Sequence, residues 1–224
     1  MKTKRFGFLL LAVCFVWGGR AVVAEDGDGG RELFNGRDLS GWHGVGGPAT
    51  NWDVVDGELI CTNEPGSRWL RTEREYADFD LKLEFKIPED GNSGVFVRAP
   101  LEGAAHIEGF EIQILDDYGP RWRQLAPNQF TGAIYAAQAP SERVTKPAGE
   151  WQTMRIRLDG RQAAVWVNGQ QVIDANLDEL ARKHPGIPGL KRERGYIGLQ
   201  HHSSVVYFRN LRIRELDSPG QPRG

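Results

Sequence analysis

The chain has 224 residues, with 28 Lys and Arg against 30 Asp and Glu, 28 Gly, 12 Pro and only 2 Cys. A charged share of 26% beside 40% hydrophobic residues excludes a disordered chain and a membrane bundle, and a net charge of -2 gives no grip on a phosphate backbone. Two cysteines cannot build a disulfide framework or a four-thiolate zinc site, while one glycine in eight implies many turns between short strands.

Residues 1–24 read as a secretory signal peptide. Lys2, Lys4 and Arg5 precede an apolar run over 6–17 that is too short to span a bilayer, and Val22, Val23 and Ala24 supply a cleavage site. An uncleaved anchor is the alternative. Lipidation at Cys14 is disfavoured because Val13 suits that cut poorly. Cleavage removes Lys2, Lys4, Arg5 and Arg20 and no acid, so the net charge falls to -6. It also leaves Cys61 without an intramolecular disulfide partner, so Cys61 is expected to pack as a small apolar residue. A flexible lead-in over 25–30, one domain over 31–216 and a tail over 217–224 complete the chain. Export to the periplasm or the exterior is expected, with no membrane span after cleavage.

The domain reads as strands and turns. Asp56-Gly57 is a two-residue hairpin signal. Residues 81–87 alternate apolar and charged strictly, the period of a half-buried strand, and 110–114 and 154–158 do the same. Further strands are expected over 95–98, 132–136, 196–201 and 205–216. Asp159-Gly160 and Asn168-Gly169 join 151–158, 161–167 and 170–173 into a meander. Residues 177–183, bounded by Asn176 and Pro185, form one short helix. Ten or more antiparallel strands require two packed sheets, so the expected fold is an all-β, two-sheet antiparallel β-sandwich of jelly-roll type.

Alternation also sorts polar residues onto one face. With Phe110, Ile112 and Ile114 in the core, Glu111 and Gln113 stand side by side on the opposite face. Arg98 shares parity with Phe96, Tyr135 points out if Ile134 points in, and Gln200 and His202 oppose Ile197 and Leu199. Such a mixture of planar polar groups and aromatics suits sugar hydroxyls and ring faces. An outward sheet face that is simply wet, with Arg98 pairing Glu111 at the surface, explains the same pattern. His201 beside His202 is poor metal geometry, because adjacent strand side chains diverge. There is no phosphate loop, nucleophile elbow or His-Glu-x-x-His motif.

Several runs stand in order along the chain: LFNGRDLSGW from Leu33, NSGVFVR from Asn92, GFEIQILD from Gly109, TGAIY from Thr131, GLQHH from Gly198 and FRNLRI from Phe208. With Gly149-Glu150-Trp151 and Val167-Asn168-Gly169, they closely resemble the 3-keto-disaccharide hydrolase family over about 31–215. The resemblance implies a concanavalin-like jelly roll, export in bacteria and action on 3-keto-glycosides. One departure is Leu199-Gln200-His201-His202-Ser203, where the family pattern is Leu-Gln-Asp-His-Gly, so His201 replaces an acid. The loop over 116–130, with Arg121-Trp122-Arg123, is individual and is expected to shape specificity.

A C3 ketone acidifies the sugar's C2 hydrogen, so a base can form an enolate that expels the C1 substituent. Water then adds back, giving hydrolysis, or the unsaturated sugar leaves as a lyase product. This needs one base and an acid or polarising group. Ordinary retaining glycosidases need two carboxylates about 5–5.5 Å apart, and no Glu-x-Asp-x-Glu arrangement of laminarinase type is present. Glu111 is the expected base and His202 the acid or a ligand for a metal. Arg98 or Gln113 would orient sugar oxygens or stabilise the enolate, Tyr135 would stack or donate, Asp116 would bind hydroxyls or a cation, and Gln200 would complete the sugar contacts. A divalent cation suits an enolate beside a hydroxyl. The partner expected is a small carbohydrate, with no nucleic acid; aglycone, anomer and oligomeric state are not legible. The competing reading is a non-catalytic carbohydrate-binding module, which needs the cleft but no acid or base; a third is an adhesion module with no small-molecule site.

Overall fold

The computed structural model describes residues 30–217. The expected signal peptide, nearly all of the lead-in and nearly all of the tail lie outside the described residues. The strands are β1 (Arg31–Glu32), β2 (Trp42–Val45), β3 (Trp52–Val55), β4 (Glu58–Cys61), β5 (Trp69–Thr72), β6 (Phe79–Lys86) and β7 (Asn92–Ala99). After them come β8 (Phe110–Leu115), β9 (Gln152–Asp159), β10 (Gln162–Val167), β11 (Gln170–Asn176), β12 (Tyr196–Gln200) and β13 (Val206–Glu215). Two short helices, α1 (Ala105–Glu108) and α2 (Leu177–Lys183), decorate them. No described helix is long and apolar enough to cross a membrane.

An 8-stranded sheet runs β11-β10-β9-β6-β13-β4-β3, with β1 also on β13; a 5-stranded sheet runs β2-β5-β12-β7-β8. The strands pair antiparallel throughout, and the fold is the all-β concanavalin-like jelly roll. Strict alternation builds its core. Leu81 and Leu83 of β6 stand opposite Ile156 and Met154 of β9, and all four are buried. From the other sheet, Val95, Val97, Phe110, Ile112, Ile114, Ile197 and Leu199 join the same apolar cluster. Cys61 lies within it, and burial pushes its thiol up to about 12.

The turn chemistry acts locally. Asp56-Gly57 and Asn168-Gly169 both have positive φ at both residues, as a primed hairpin turn requires. The third turn sits one residue later than expected: Asp159 pairs with Gln162, so Gly160 and Arg161 make the bend. Asn176 caps α2, its side chain accepting from the N–H groups of Asp178 and Glu179 at 3.0 and 3.1 Å.

Two further expectations need correction. Residues 132–136 are not a ladder strand; Ile134 makes only isolated bridges, to Ile112 and Gln138, so the segment lies along the outer edge of β8. The short strands β2 to β5 and helix α1 carry too few residues to show a period. Alternation also fails at two bulges. Asn210, at φ 53°, is the extra residue that keeps both Phe208 and Leu211 in the core.

The other bulge overturns the expectation for Arg98. At φ 49° it leaves the parity of Phe96, while Phe96 pairs with Gly198 and Ala99 with Tyr196. Its side chain is 0% exposed and donates to the carbonyls of Ala77, Gly160 and Arg192 and to the Asp78 carboxylate, at 2.9–3.3 Å. Arg192 donates back to the Arg98 carbonyl at 2.9 Å. Burial works against the guanidinium charge, and Asp78 beside it works for it. Arg98 therefore ties the β6 entry, the Gly160 turn and the 192 loop together, and it is not available to a sugar or to Glu111. Arg98→Met strips these acceptors of their shared donor and is expected to cost about 3–5 kcal/mol, read as a lower urea midpoint at unchanged slope.

Candidate functional site

The outer face of the 5-stranded sheet is where the chemistry collects. Strand pairing sets His43, Arg71, Gly198, Phe96 and Glu111 side by side in one row. Tyr135 extends it, since its N–H donates to the Glu111 carbonyl at 2.9 Å along the edge of β8. In the next row Val45, Trp69 and Gln200 lead toward Gly94 and Gln113. This face is not wet. Trp69, Phe96, Ala99 and Ala105 form a second apolar cluster, Trp69 meeting Phe96 edge-on at 5.5 Å, with Val45 and Tyr196 packed against it.

Two glycines make room for this layer. A Cβ on Gly94 would stand 2.1 Å from Glu111 Oε1, and one on Gly198 would stand 2.3 Å from the Trp69 ring. Both carry a strand conformation that any residue adopts, so close approach is the reason for glycine there. Glu111 thus lies across Gly94, between Phe96 and Tyr135, and is 3% exposed. Burial alone pushes its carboxyl from 4.5 up to about 8. Gln113, also buried, stands beside it.

Tyr135 is held on two sides. Its hydroxyl accepts from Gln129 Nε2 at 3.0 Å, and its ring meets the His106 imidazole edge-on at 6.2 Å. Gln129 belongs to the individual loop after β8, which therefore positions a site side chain. Burial lowers the pKa of His106, favouring the neutral ring. Gln200 faces outward opposite Trp69, and its Oε1 is buried without a hydrogen-bond partner.

Two expected site residues stand outside these two rows. Asp116 turns its carboxylate into the loops, accepting from the N–H groups of Asp90 at 2.9 Å and Tyr118 at 3.4 Å. His202 is exposed beyond the end of β12, where strand alternation no longer directs it. His201 is the better-held histidine: its backbone N–H donates to the Arg68 carbonyl at 3.1 Å, its Nε2 is buried and unpartnered among the described residues, and burial, then His202, lowers its pKa. Ser203, standing where the family pattern has glycine, keeps a left-handed φ of 54°. Among the described residues no group of three or more His, Cys, Asp or Glu side chains is placed to hold a metal ion, so the donor set does not fit the expected cation.

Sequence reading missed Trp69, His106 and Gly94. Only the mid-strand glycine left a signal, as a mark of close approach. A separate cleft of about 350 Å³ lies between Arg31, Glu73, Arg74 and Tyr76. Its cations are already engaged, Arg74 by Glu215 and Arg31 by the Tyr76 hydroxyl.

The model of a family described as the 3-keto-alpha-glucoside-1,2-lyase-like domain matches residues 29–214. The chain belongs to that family. Glu111, Gln113 and Tyr135 lie together on the outer sheet face of this domain. The chain is 25% identical over 233 residues to the 3-keto-disaccharide hydrolase of Bacteroides thetaiotaomicron, covering 86% of this chain and 80% of that protein. It is 29% identical to a solved "putative glycosyl hydrolase" from Parabacteroides distasonis, with a TM-score of 0.74 over 85% of this chain and 95% of that one. The laminarinase catalytic domain from Thermotoga maritima, at 16% identity, a TM-score of 0.50 and coverage of 84% and 97%, shares the fold alone.

A raised carboxyl pKa is also a stability statement. Glu111 in the unfolded chain releases its proton near pH 4.5, whereas the folded protein keeps it until about 8. Folding stability is therefore full below the lower value and is lost as pH rises through the upper one. Glu111→Gln removes that loss. Thermal unfolding is expected to show the variant level with wild type near pH 4 and more stable by on the order of 3 kcal/mol near pH 8.

Proposed function

We propose that the protein cleaves the C1 glycosidic bond of 3-keto-glycosides, 3-keto-disaccharides among them, by abstraction of the C2 proton, with Glu111 as the base. The observation that carries this reading is a single dry carboxyl with a pKa near neutrality and no second carboxylate in its rows of the sheet. A pair of carboxylates about 5–5.5 Å apart, as ordinary retaining hydrolysis needs, is not what this face offers. One base whose proton affinity lies close to working pH is what enolisation needs.

The steps follow from the placed groups. Ionised Glu111 takes the C2 hydrogen, and the electron pair passes to the C3 oxygen. Tyr135 accepts a hydrogen bond from Gln129, so its own O–H remains to donate to that oxygen. Collapse of the enolate expels the C1 oxygen with a proton; the exposed His202 is the candidate donor. Addition of water to C1 with reprotonation of C2 by Glu111 gives hydrolysis, and departure before addition gives the lyase product. Gln200, with an unmet acceptor beside Trp69, binds a sugar hydroxyl. No step is assigned to a cation. The reading includes export, which rests on the amino-terminal sequence.

The test is incubation of the purified mature protein with a 3-keto-glucoside and with its unoxidised parent. Turnover of the keto-sugar alone is expected, with kcat/KM rising with pH and levelling above about 8, and Glu111→Gln slower by roughly 10²–10⁴-fold. Turnover of the parent but not the keto-sugar, binding of plain glycans without product, or full activity in Glu111→Gln would overturn the proposal.

A further inference from the structure

A buried carboxyl that accepts a proton and returns it must find a partner in both states, because an unsatisfied buried donor or acceptor costs about 1–3 kcal/mol. Among the described residues Glu111 has no ion pair, and burial alone shapes its titration. The titratable and charged groups on the elements around it are Tyr135 on the β8 edge, His106 and Glu108 on α1, Arg98 on β7, Arg71 on β5, and His201 and His202 after β12. None of them hydrogen-bonds to Glu111. The neighbour that does face its carboxyl is a neutral amide.

The Gln113 amide fits its pocket in two orientations related by a half-turn. In one, Nε2 donates to Asn92 Oδ1 at 3.2 Å, and the amide oxygen faces Glu111 Oε1 at 3.0 Å and the Ser93 carbonyl at 3.3 Å. Two oxygens so placed need a proton between them, so this orientation matches the carboxylic acid, its O–H donating to Gln113 Oε1. In the other, Nε2 donates to Glu111 Oε1 at 3.0 Å and to the Ser93 carbonyl at 3.3 Å, while the amide oxygen faces Asn92 at 3.2 Å. That orientation matches the carboxylate, with the Asn92 amide turned to donate. An amide presents an acceptor and a donor at interchangeable positions, which no carboxylate or apolar side chain does.

We propose that Gln113 is a positioning residue for proton transfer, its amide turning over together with that of Asn92 each time Glu111 gains or loses its proton. The proton itself stays on Glu111 or goes to C2; no bond to Gln113 forms or breaks. The dry site thereby keeps the Glu111 carboxyl hydrogen-bonded on both sides of the transfer without admitting water. The inference rests on Glu111 being the base, but the titration that tests the coupling does not need the substrate.

The experiment is nuclear magnetic resonance of the ligand-free full-length mature protein, following the Gln113 and Asn92 side-chain amide signals and the Glu111 carboxyl carbon across the pH range. The expected result is a single shared midpoint for all three, and loss of the Gln113 and Asn92 transitions in Glu111→Gln. In Gln113→Met, folded by its dispersed spectrum, the Glu111 midpoint is expected to move and kcat to fall about tenfold or more. Gln113 amide signals that stay flat through the Glu111 midpoint, or an unmoved midpoint in Gln113→Met, would overturn the coupling. Shared titration in a protein that does not turn over 3-keto-glucoside would instead sink the assignment of Glu111 as base and leave the coupling standing.

Discussion

Glu111 is an acid kept out of water with no cation beside it, and the arrangement of the outer sheet face follows from that constraint. A carboxylate at such a place loses its hydration, so its proton is held until about pH 8. Keeping water away takes Phe96 on one side, Tyr135 on the other and the absent side chain of Gly94 beneath. The Trp69–Phe96 cluster extends the dry layer across β5, β12 and β7, and Ala105 of α1 closes one end of it. The stability given up at Glu111 is carried by the main core between the sheets, which is built from the opposite faces of the same strands.

The two kinds of polar burial in this molecule do different work. Arg98 is buried with every guanidinium nitrogen engaged, on three carbonyls and Asp78, and such a group holds elements together because it cannot change state. Glu111 is buried with its charge unopposed, beside an amide that can face either way, and such a group changes state at little cost. The same physics of desolvation thus yields a clamp at one end of β7 and a candidate base beside its middle. The individual loop after β8 connects to this chemistry through Gln129, whose amide holds the Tyr135 hydroxyl.

Much of the fold was legible because alternation is a local property. The β6, β8 and β9 runs alternate without interruption, and their inward and outward residues fall as the period demands. Alternation placed Glu111 and Gln113 side by side for the same reason. Bulges are where this logic stops, since one extra residue reverses every later side chain: Arg98 went to the interior and Phe208 and Leu211 kept company across Asn210. Dryness was also hidden. An outward strand residue is wet or dry according to what a distant segment lays over it, and α1 and the residues around Ile134 carry no periodic signal. Asp116 fell out for a third reason, because a loop can spend a carboxylate on its own N–H groups.

The claim at the centre is that the C2–H bond breaks in every catalytic turnover. It is tested most directly with a 3-keto-glucoside carrying deuterium at C2, converted by the enzyme in ordinary water and followed by mass spectrometry of the released sugar. Proton abstraction by Glu111 predicts that the sugar loses C2 deuterium to the solvent, wholly in an unsaturated product and measurably in a rehydrated one. Cleavage of the glycosidic bond with the C2 deuterium fully retained would contradict it.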